Sequence, residues 1–186
     1  MKKILILLFS IFLIFCLKPV NALTSVGNTF VEMPFSPNQR AICRDGKNHI
    51  HVVWLYNSTT IKYAKSMDNG NSWQITTWQN ETANPLNYSH ISCDGNNVIV
   101  VYSNTSLVMK ISEDNGQNWV TKVPRASGVD VAVAERRGQK IYVVYKNMDA
   151  FADIIFFNSS DGGSTWSSDV VLFDGYVESS IFKVIE

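Results

Sequence analysis

The stretch that decides the fold is SMDNGNSW, Ser66–Trp73, because two closely similar stretches follow it along the chain. SEDNGQNW occupies Ser112–Trp119, and SSDGGSTW occupies Ser159–Trp166. We call these three stretches the Ser–Asp turns. Their aspartates are separated by 46 and then by 47 residues. Recurrence at a nearly constant spacing indicates a repeated structural unit.

Each Ser–Asp turn lies between predicted strands. Apolar residues stand seven and five positions before every aspartate, and this spacing of two marks one face of a strand. Further upstream, each unit contains a β-branched and aromatic run, which reads IHVVW, then VIVVY, then IYVVY. A glycine turn precedes each run, at Gly46, Gly95 and Gly138, and a short apolar segment precedes each turn. The fourth strand of each unit begins at the tryptophan.

These units predict the fold class. Four antiparallel strands in about 45 residues are typical of one propeller blade. We therefore predict an all-β propeller domain over residues 23–186, with blades at 39–80, 88–125 and 129–175. Residues 176–186 have the pattern of the inner strand of a fourth blade. Such an incomplete ring has open edges, so a homodimer that closes one ring from two chains is also predicted.

Every residue of a Ser–Asp turn has a predicted folding role. Aspartate accepts hydrogen bonds from the backbone N–H groups of the turn, and serine can bond the backbone as well. Glycine supplies a positive φ, and tryptophan packs its ring beneath the turn. These local roles favour structural aspartates over a catalytic or metal-binding set of carboxylates. The predicted structural residues are Ser66, Asp68, Gly70, Trp73, Ser112, Asp114, Gly116, Trp119, Ser159, Asp161, Gly163 and Trp166.

The three Ser–Asp turns resemble the Asp-box, Ser-x-Asp-x-Gly-x-Thr-Trp, of sialidases and other Asp-box (BNR-repeat) β-propellers. The resemblance covers roughly residues 39–175, and it departs from the pattern at Ser72 and Asn118, where threonine is usual. It implies a sialidase-like propeller, usually six-bladed in sialidases. It also implies that these turns lie on the periphery, away from the catalytic face.

The catalytic groups that this resemblance implies are not matched in the sequence. A sialidase needs an arginine cluster for the substrate carboxylate, a tyrosine–glutamate nucleophile pair and an acid/base aspartate. In the family the first arginine lies in an Arg-Ile-Pro segment. The corresponding stretch here, NQRAICRDG, places Arg40 and Arg44 outside such a motif. We therefore predict no catalytic residue.

Residues 1–22 have the pattern of a signal peptide. Lys2 and Lys3 precede the apolar run ILILLFSIFLIFC, and VNA offers a cleavage site after Ala22. As a helix this run is about 20 Å long, whereas a bilayer core is about 30 Å thick, so a membrane anchor is the weaker interpretation. We predict a secreted or cell-surface protein with no membrane span after cleavage.

Charge and cysteine content narrow the partners and the compartment. The 16 basic and 16 acidic residues balance, so removal of Lys2, Lys3 and Lys18 leaves a net charge of −3. No basic stripe is present, and nucleic acid is therefore not an expected partner. Cys43 and Cys93 remain, which permits one disulfide in an exported protein, with two small buried side chains as the alternative. Both fall on predicted inner strands, which splay apart with distance from the propeller axis. A disulfide requires Cα atoms within about 7 Å, so a bridge forms only where these strands are close together.

The sequence predicts neither a metal site nor a cofactor. His49 and His51 are spaced by two and face one side of a strand, but two histidines alone make a poor metal site. The sequence indicates no third ligand, so both histidines are expected at the surface. Arg136 and Arg137 precede a turn glycine and are expected to be solvated.

The chain contains Asn-x-Ser/Thr sequons, which are predicted N-glycosylation sites on the surface of an exported protein. A composition rich in Asn, Ser and Thr also produces such sequons by chance. The candidate acceptors are Asn57, Asn80, Asn87, Asn104 and Asn158.

Two functions fit this sequence. The favoured one is a secreted, non-catalytic Asp-box propeller module that binds a carbohydrate or an extracellular protein, because the repeats are complete and the arginine motif is missing. The alternative is the N-terminal part of a sialidase-like exo-glycosidase, a glycoside hydrolase that continues beyond residue 186. Fold alone does not decide between them.

Overall fold

The computed structural model describes residues 40–79, 86, 88–148 and 153–174. The predicted signal peptide and the predicted partial fourth blade lie outside these residues. Within them the chain is all-β, as predicted, and it contains no helix that is long and apolar enough to cross a membrane. The strands are β1 (Ile42–Arg44), β2 (Ile50–Asn57), β3 (Thr60–Ser66), β4 (Gln74–Gln79), β5 (Ser89–Asp94), β6 (Asn97–Ser103), β7 (Thr105–Ser112), β8 (Val120–Arg137), β9 (Lys140–Asn147), β10 (Ile154–Ser159) and β11 (Val170–Phe173).

The described strands form two antiparallel sheets in which sequence neighbours are also spatial neighbours. Strands β1 to β4 form a four-stranded sheet, and β5 to β11 form a seven-stranded sheet in sequential order. The second sheet consists of two four-stranded units that share β8. Residues 120–125 of that strand pair with β7, and residues 129–137 pair with β9. The described chain therefore has three four-stranded antiparallel units, which is the arrangement of propeller blades.

Strand β8 is longer than the sequence predicted. The pattern predicted two strands separated at residues 126–128, whereas β8 runs without interruption from Val120 to Arg137. The chain bends within it, because Gly128 has a φ of 76° and the pairing register shifts beside Val129. A bulge of this kind lets one strand pass from the outer edge of one unit to the inner edge of the next.

Each pair of neighbouring units encloses one hydrophobic core. Successive side chains of β6 point to opposite faces of the sheet. Val98 and Val100 therefore pack toward the first unit, and Ile99 and Val101 pack toward the third. Because both faces of β6 are buried, its sequence is a continuous apolar run and not an alternating one.

The inner strands β1, β5 and the second half of β8 lie side by side. The N–H of Ile91 donates to the carbonyl of Arg40 at 2.9 Å, which joins the first unit to the second. Ser92 Oγ donates to Glu135 Oε2 at 2.9 Å, which joins the second unit to the third. These contacts gather the first strand of every unit together, as the inner strands of a propeller are gathered.

Candidate functional site

The three Ser–Asp turns share one hydrogen-bond pattern. In the third turn, Ser159 Oγ donates to Asp161 Oδ1 at 2.8 Å and accepts the N–H of Gly163 at 2.9 Å. Thr165 donates its N–H to Asp161 Oδ1 at 2.9 Å and its hydroxyl to Oδ2 at 2.6 Å. The same serine, aspartate and glycine contacts are made by Ser66, Asp68 and Gly70, and by Ser112, Asp114 and Gly116.

The first and second Ser–Asp turns have another side chain at the position of Thr165, and each keeps the same contact. Ser72 Oγ donates to Asp68 Oδ2 at 2.6 Å, and Asn118 Nδ2 donates to Asp114 Oδ2 at 2.6 Å. The backbone N–H groups of the same two residues donate to the other oxygen of each aspartate, at 2.8 and 2.9 Å. A short side chain with an O–H or N–H donor therefore serves at this position.

The tryptophans of the three turns are half-buried, and each contacts its own turn or the hydrophobic core beside it. Trp73 Nε1 donates to the carbonyl of Gly70 at 3.1 Å, which closes the first turn. Trp119 packs edge-on to Tyr63, with ring centroids 4.9 Å apart, in the core between the first and second units. Trp166 packs against the core between the second and third units. The rings therefore add apolar contact area at the end of each unit.

The turn hydrogen bonds hold the three carboxylates in their ionised form. Hydrogen bonds from Thr165 lower the pKa of Asp161 to about 2. Burial tends to raise the pKa of Asp114, but the hydrogen bonds from Asn118 outweigh it and lower that pKa to about 2. The hydroxyl four residues after Asp68 likewise lowers the pKa of that carboxyl. Each carboxylate is engaged by its own turn and is poorly suited to donate a proton near pH 7.

Acid should remove the stabilising role of Asp161 over a defined pH interval. Its pKa is about 2 in the folded chain, below the ordinary 3.8, so its contribution to stability is complete above pH 4 and is lost as the pH falls toward 2. Thermal melts of the wild type and an Asp161→Asn variant measure this contribution. We expect the wild type to melt higher above pH 4 and the difference to shrink toward pH 2. The exposed residue Asp174 provides the control variant Asp174→Asn. A difference in melting temperature between the wild type and Asp161→Asn that stays constant from pH 5 to pH 2 would contradict the stabilising role of the Asp161 carboxylate.

A second group of polar side chains, which the sequence did not predict, surrounds Asp45 in the turn between β1 and β2. The buried Asp45 carboxylate accepts the N–H groups of Lys47 and His49 on Oδ1, each at 2.9 Å. Its Oδ2 lies 2.9 Å from His49 Nδ1 and 3.1 Å from His51 Nε2. Asn115, in the second Ser–Asp turn, donates Nδ2 to the same Oδ2 at 2.8 Å. We call Asp45, His49 and His51 the Asp45 cluster.

His51 connects the Asp45 cluster to Tyr63. The Nδ1 of His51 lies 2.6 Å from the Tyr63 hydroxyl, and the two rings stack with centroids 5.9 Å apart. Burial lowers the pKa of His51, although the hydrogen bond to Asp45 opposes this shift. Burial also raises the pKa of the Tyr63 hydroxyl well above its usual range. Burial acts to raise the pKa of Asp45, but its hydrogen bonds, that of His51 first, hold it below the usual value. An ionised carboxylate thus lies beside a neutral imidazole.

The expectation that both histidines lie at the surface was wrong for His51, whose side chain is fully buried. The spacing of two does place His49 and His51 on one side, but that side faces the second unit and not solvent. The sequence also contained an overlooked third group. That group is Asp45, which directly precedes the turn glycine Gly46. Because Asn48 has a φ of 64°, the turn folds back and brings the Asp45 carboxylate to both rings.

A third polar group lies on the inner strands β5 and β8 and just before β1, and we call it the inner-strand cluster: Arg40, Ser92, Glu135 and Arg137. Glu135 is at its centre. Its Oε2 lies 3.5 Å from Arg40 Nη1 and accepts the Ser92 hydroxyl at 2.9 Å, and its Oε1 lies 3.2 Å from Arg137 Nη2. The side chains of Arg40 and Arg137 are 35% and 69% exposed, so the cluster is open to solvent. Arg44, at the end of β1, is exposed.

His90 lies on β5 beside this cluster. The side chain is buried, and its Nδ1 has no hydrogen-bond partner among the residues that the structure describes. Burial, together with the nearby charge of Arg40, lowers its pKa to about 4. His90 is therefore neutral at pH 7 and adds no charge to the inner-strand cluster.

Arg136 was expected to be solvated, and this was wrong. Its side chain is fully buried, whereas that of Arg137 is exposed, because consecutive residues of a strand point to opposite faces. The Arg136 Nε donates to the carbonyl of Gly138 at 2.8 Å, and Nη2 donates to Glu113 Oε1 at 2.7 Å. Its charge is thereby paired, which a buried guanidinium requires.

Cys43 and Cys93 form a disulfide in the structure, with Cα atoms 5.7 Å apart. The bridge is possible because the inner strands β1 and β5 lie close together, where neighbouring units have not yet splayed apart. It joins the first unit to the second across 50 residues of sequence.

The predicted glycosylation sites differ in accessibility. Asn57 and Asn158 are half-buried. Asn104 is only 3% exposed and accepts the N–H of Ser106 at 3.2 Å, so the folded chain cannot present it as an acceptor, and this prediction is corrected. Asn80 and Asn87 lie outside the described residues.

Comparisons with known proteins yield structural neighbours only. No protein-family profile and no curated protein matches the chain. Similar solved structures include YCF48 from Cyanidioschyzon merolae, with a TM-score of 0.47, 18% identity, and 70% of this chain and 37% of that one covered. They also include NanB sialidase from Streptococcus pneumoniae in a ligand complex, with a TM-score of 0.45, 20% identity, and 61% of this chain and 19% of that one covered. A point mutant of the same sialidase has a TM-score of 0.45 and 22% identity, with 65% of this chain and 20% of that one covered. The chain thus spans less than two fifths of each of these structures. Such TM-scores assign no function, and the fold stated above rests on the chain's own strand order.

Proposed function

We propose that this chain is a non-catalytic Asp-box propeller module of the sialidase-like class that binds a glycan or a protein outside the cell. The observation that carries the proposal is the commitment of the turn carboxylates. Asp68, Asp114 and Asp161 each accept at least three hydrogen bonds from their own turn, so none is available for chemistry. The turns build the scaffold, and the ligand must be recognised elsewhere.

The inner-strand cluster is the surface that we assign to this ligand. It combines two half-exposed or exposed guanidinium groups with one carboxylate and one hydroxyl, on β5, on β8 and on the segment that leads into β1. Guanidinium groups bind carboxylates and the oxygen atoms of sugars through several N–H donors held in a fixed plane. The pairing of Arg40 with Glu135 also supports a binding role over catalysis, because this arginine, one of two near the place of the family's first catalytic arginine, already faces a carboxylate.

An array of glycans and extracellular proteins, probed with the labelled chain, tests this proposal. We expect saturable binding to at least one class of ligand. An Arg137→Ala variant should weaken it about tenfold to a hundredfold, the equivalent of one charge-assisted hydrogen bond. Lys122→Ala, on the outer strand of the second unit, is the matched control and should bind like the wild type. Absence of binding to every array member, or equal binding by Arg137→Ala, would overturn the assignment.

The alternative function, a sialidase-like exo-glycosidase, has one observation in its favour. Arg40, which precedes β1, and Arg137, which lies on β8, both contact Glu135, and an arginine cluster of this kind can hold a substrate carboxylate. Under this alternative Arg40 would contact the substrate, and Arg40→Ala would abolish turnover of a sialoside. The binding function requires no turnover at all.

Export of the chain is part of the proposal. A disulfide between Cys43 and Cys93 persists in oxidising compartments, which supports a secreted or cell-surface location. Among the sequons within the described residues, Asn57 and Asn158 are the acceptors that we propose. Intact mass before and after glycosidase treatment of protein from its own cells would detect glycans there.

A further inference from the structure

We propose that Asp45, His49 and His51 form a binding site for one zinc ion. This inference does not depend on the proposed ligand-binding function, since the Asp45 cluster and the inner-strand cluster share no residue. It concerns a set of side chains for which neither the Ser–Asp turns nor the inner strands account.

The donor atoms of the cluster already have a suitable arrangement. His49 Nδ1 and His51 Nε2 lie 2.9 and 3.1 Å from the same oxygen, Asp45 Oδ2. All three donor atoms lie within 4.8 Å of one another. Around a tetrahedral zinc with bonds of about 2.0–2.1 Å, neighbouring ligand atoms are about 3.3 Å apart. The two distances from the imidazole nitrogens to Asp45 Oδ2 are therefore within a few tenths of an ångström of those that a zinc ion needs.

The chemistry of the three groups favours zinc over calcium or magnesium. Two imidazole nitrogens and one carboxylate oxygen are ligands that zinc accepts, whereas calcium and magnesium prefer oxygen alone. Sites with three protein ligands leave a fourth position for water or another ligand. The His49 side chain is 17% exposed, so the cluster reaches solvent at this ligand.

The surrounding contacts hold two of the three ligands, Asp45 and His51, in place. Two backbone N–H groups fix Asp45 Oδ1, and Asn115 Nδ2 donates to Oδ2. With Nε2 of His51 bound to a metal, its Nδ1–H donates to the Tyr63 hydroxyl, at the observed 2.6 Å. A metal-bound histidine almost always has such a partner for its second nitrogen, because that partner fixes the tautomer and the ring. The ion would thereby link the first unit to the second Ser–Asp turn.

The competing explanation is a network held by protons alone. In that network the two imidazole N–H groups donate to Asp45 Oδ2, and His51 Nδ1 accepts the Tyr63 hydroxyl. Lys65 is buried close enough to interact with Asp45, and its positive charge opposes a cation, whereas the nearby Asp114 offsets it. Direct metal binding distinguishes the two explanations.

The test uses the purified full chain after removal of metals by dialysis against a chelator. Zinc chloride is titrated in competition with a chromophoric chelator, and cobalt chloride is added separately as a spectroscopic probe. We expect one equivalent of zinc with a Kd below about 1 µM. Cobalt should give the intense visible absorption of a tetrahedral site, which zinc then abolishes. Absence of a saturable first equivalent, or of the cobalt spectrum, would overturn the proposal.

Variants assign the binding to these residues. His49→Gln, at the partly exposed position, should weaken zinc binding about a hundredfold, and Tyr63→Phe should weaken it about tenfold through loss of the outer hydrogen bond. His90→Gln changes the protein's one other histidine and should leave the affinity unchanged. Circular dichroism checks that each variant is folded. A loss smaller than about tenfold in folded His49→Gln would show that the ion binds elsewhere.

Discussion

Removal of the Cys43–Cys93 disulfide is expected to lower the free energy of unfolding by about 4 kcal/mol. The bridge closes a loop of 50 residues. In the chain-entropy model, closing a loop of this length lowers the entropy of the unfolded state and raises its free energy by about 4 kcal/mol. It also joins the inner strands of two units, next to the backbone hydrogen bond between Ile91 and Arg40. Chemical denaturation of the double variant Cys43→Ala/Cys93→Ala measures the loss.

Reduction of the wild type provides the matched control for this experiment. The reduced wild type should unfold at nearly the same denaturant concentration as the double variant, and the reductant should not change the variant. Equal stability of the oxidised and reduced wild type would contradict the expected role of the bridge.

A Gly116→Ala substitution is expected to cost about 3 kcal/mol, the second-largest effect. Gly116 has a φ of 75°, a conformation that disfavours any residue with a Cβ. The added Cβ would also overlap the Tyr63 hydroxyl and lie 3.4 Å from the His51 ring. The buried hydrogen bond between Tyr63 and His51 would then break or shift. Denaturant titration followed by tryptophan fluorescence measures the loss, because Trp119 packs against Tyr63.

Gly128→Ala separates the two causes of this effect. Gly128 has a φ of 76°, but nothing lies within 4 Å of the Cβ that would be added there. Its substitution should lower the free energy of unfolding only through the strain of a positive φ, by about 1 kcal/mol. If the two variants were equally stable, the proposed contact between the second Ser–Asp turn and the Asp45 cluster would be incorrect.

The repeated pattern made the fold class predictable from the sequence. The Ser–Asp turns fix where one strand ends and the next begins, and a period of 46 to 47 residues fixes the size of the unit. Apolar runs such as VIVVY mark strands that are buried on both faces. The turn contacts of Asp68, Asp114 and Asp161 are local, within four residues, so sequence spacing alone was enough to anticipate them.

The burial of the Asp45 cluster could not be predicted in the same way, because it depends on contacts between units. Asn115 donates to Asp45 from 70 residues away, and the direction in which His51 points depends on how the second unit packs. The burial of Arg136 and the continuity of β8 have the same origin. Arg136 reaches Glu113 in the preceding unit, and β8 is continuous because a bulge at Gly128 replaces a loop.

The most direct test of the proposed function is a time course by proton NMR of the purified chain with a sialylated oligosaccharide. One series of spectra reports binding, by saturation transfer from protein to sugar, and cleavage, by the appearance of free sialic acid. A non-catalytic module predicts that the oligosaccharide stays intact throughout, whether or not it is bound. Growth of free sialic acid signals with the wild type, and their absence with Arg40→Ala, would contradict the account and establish the glycosidase.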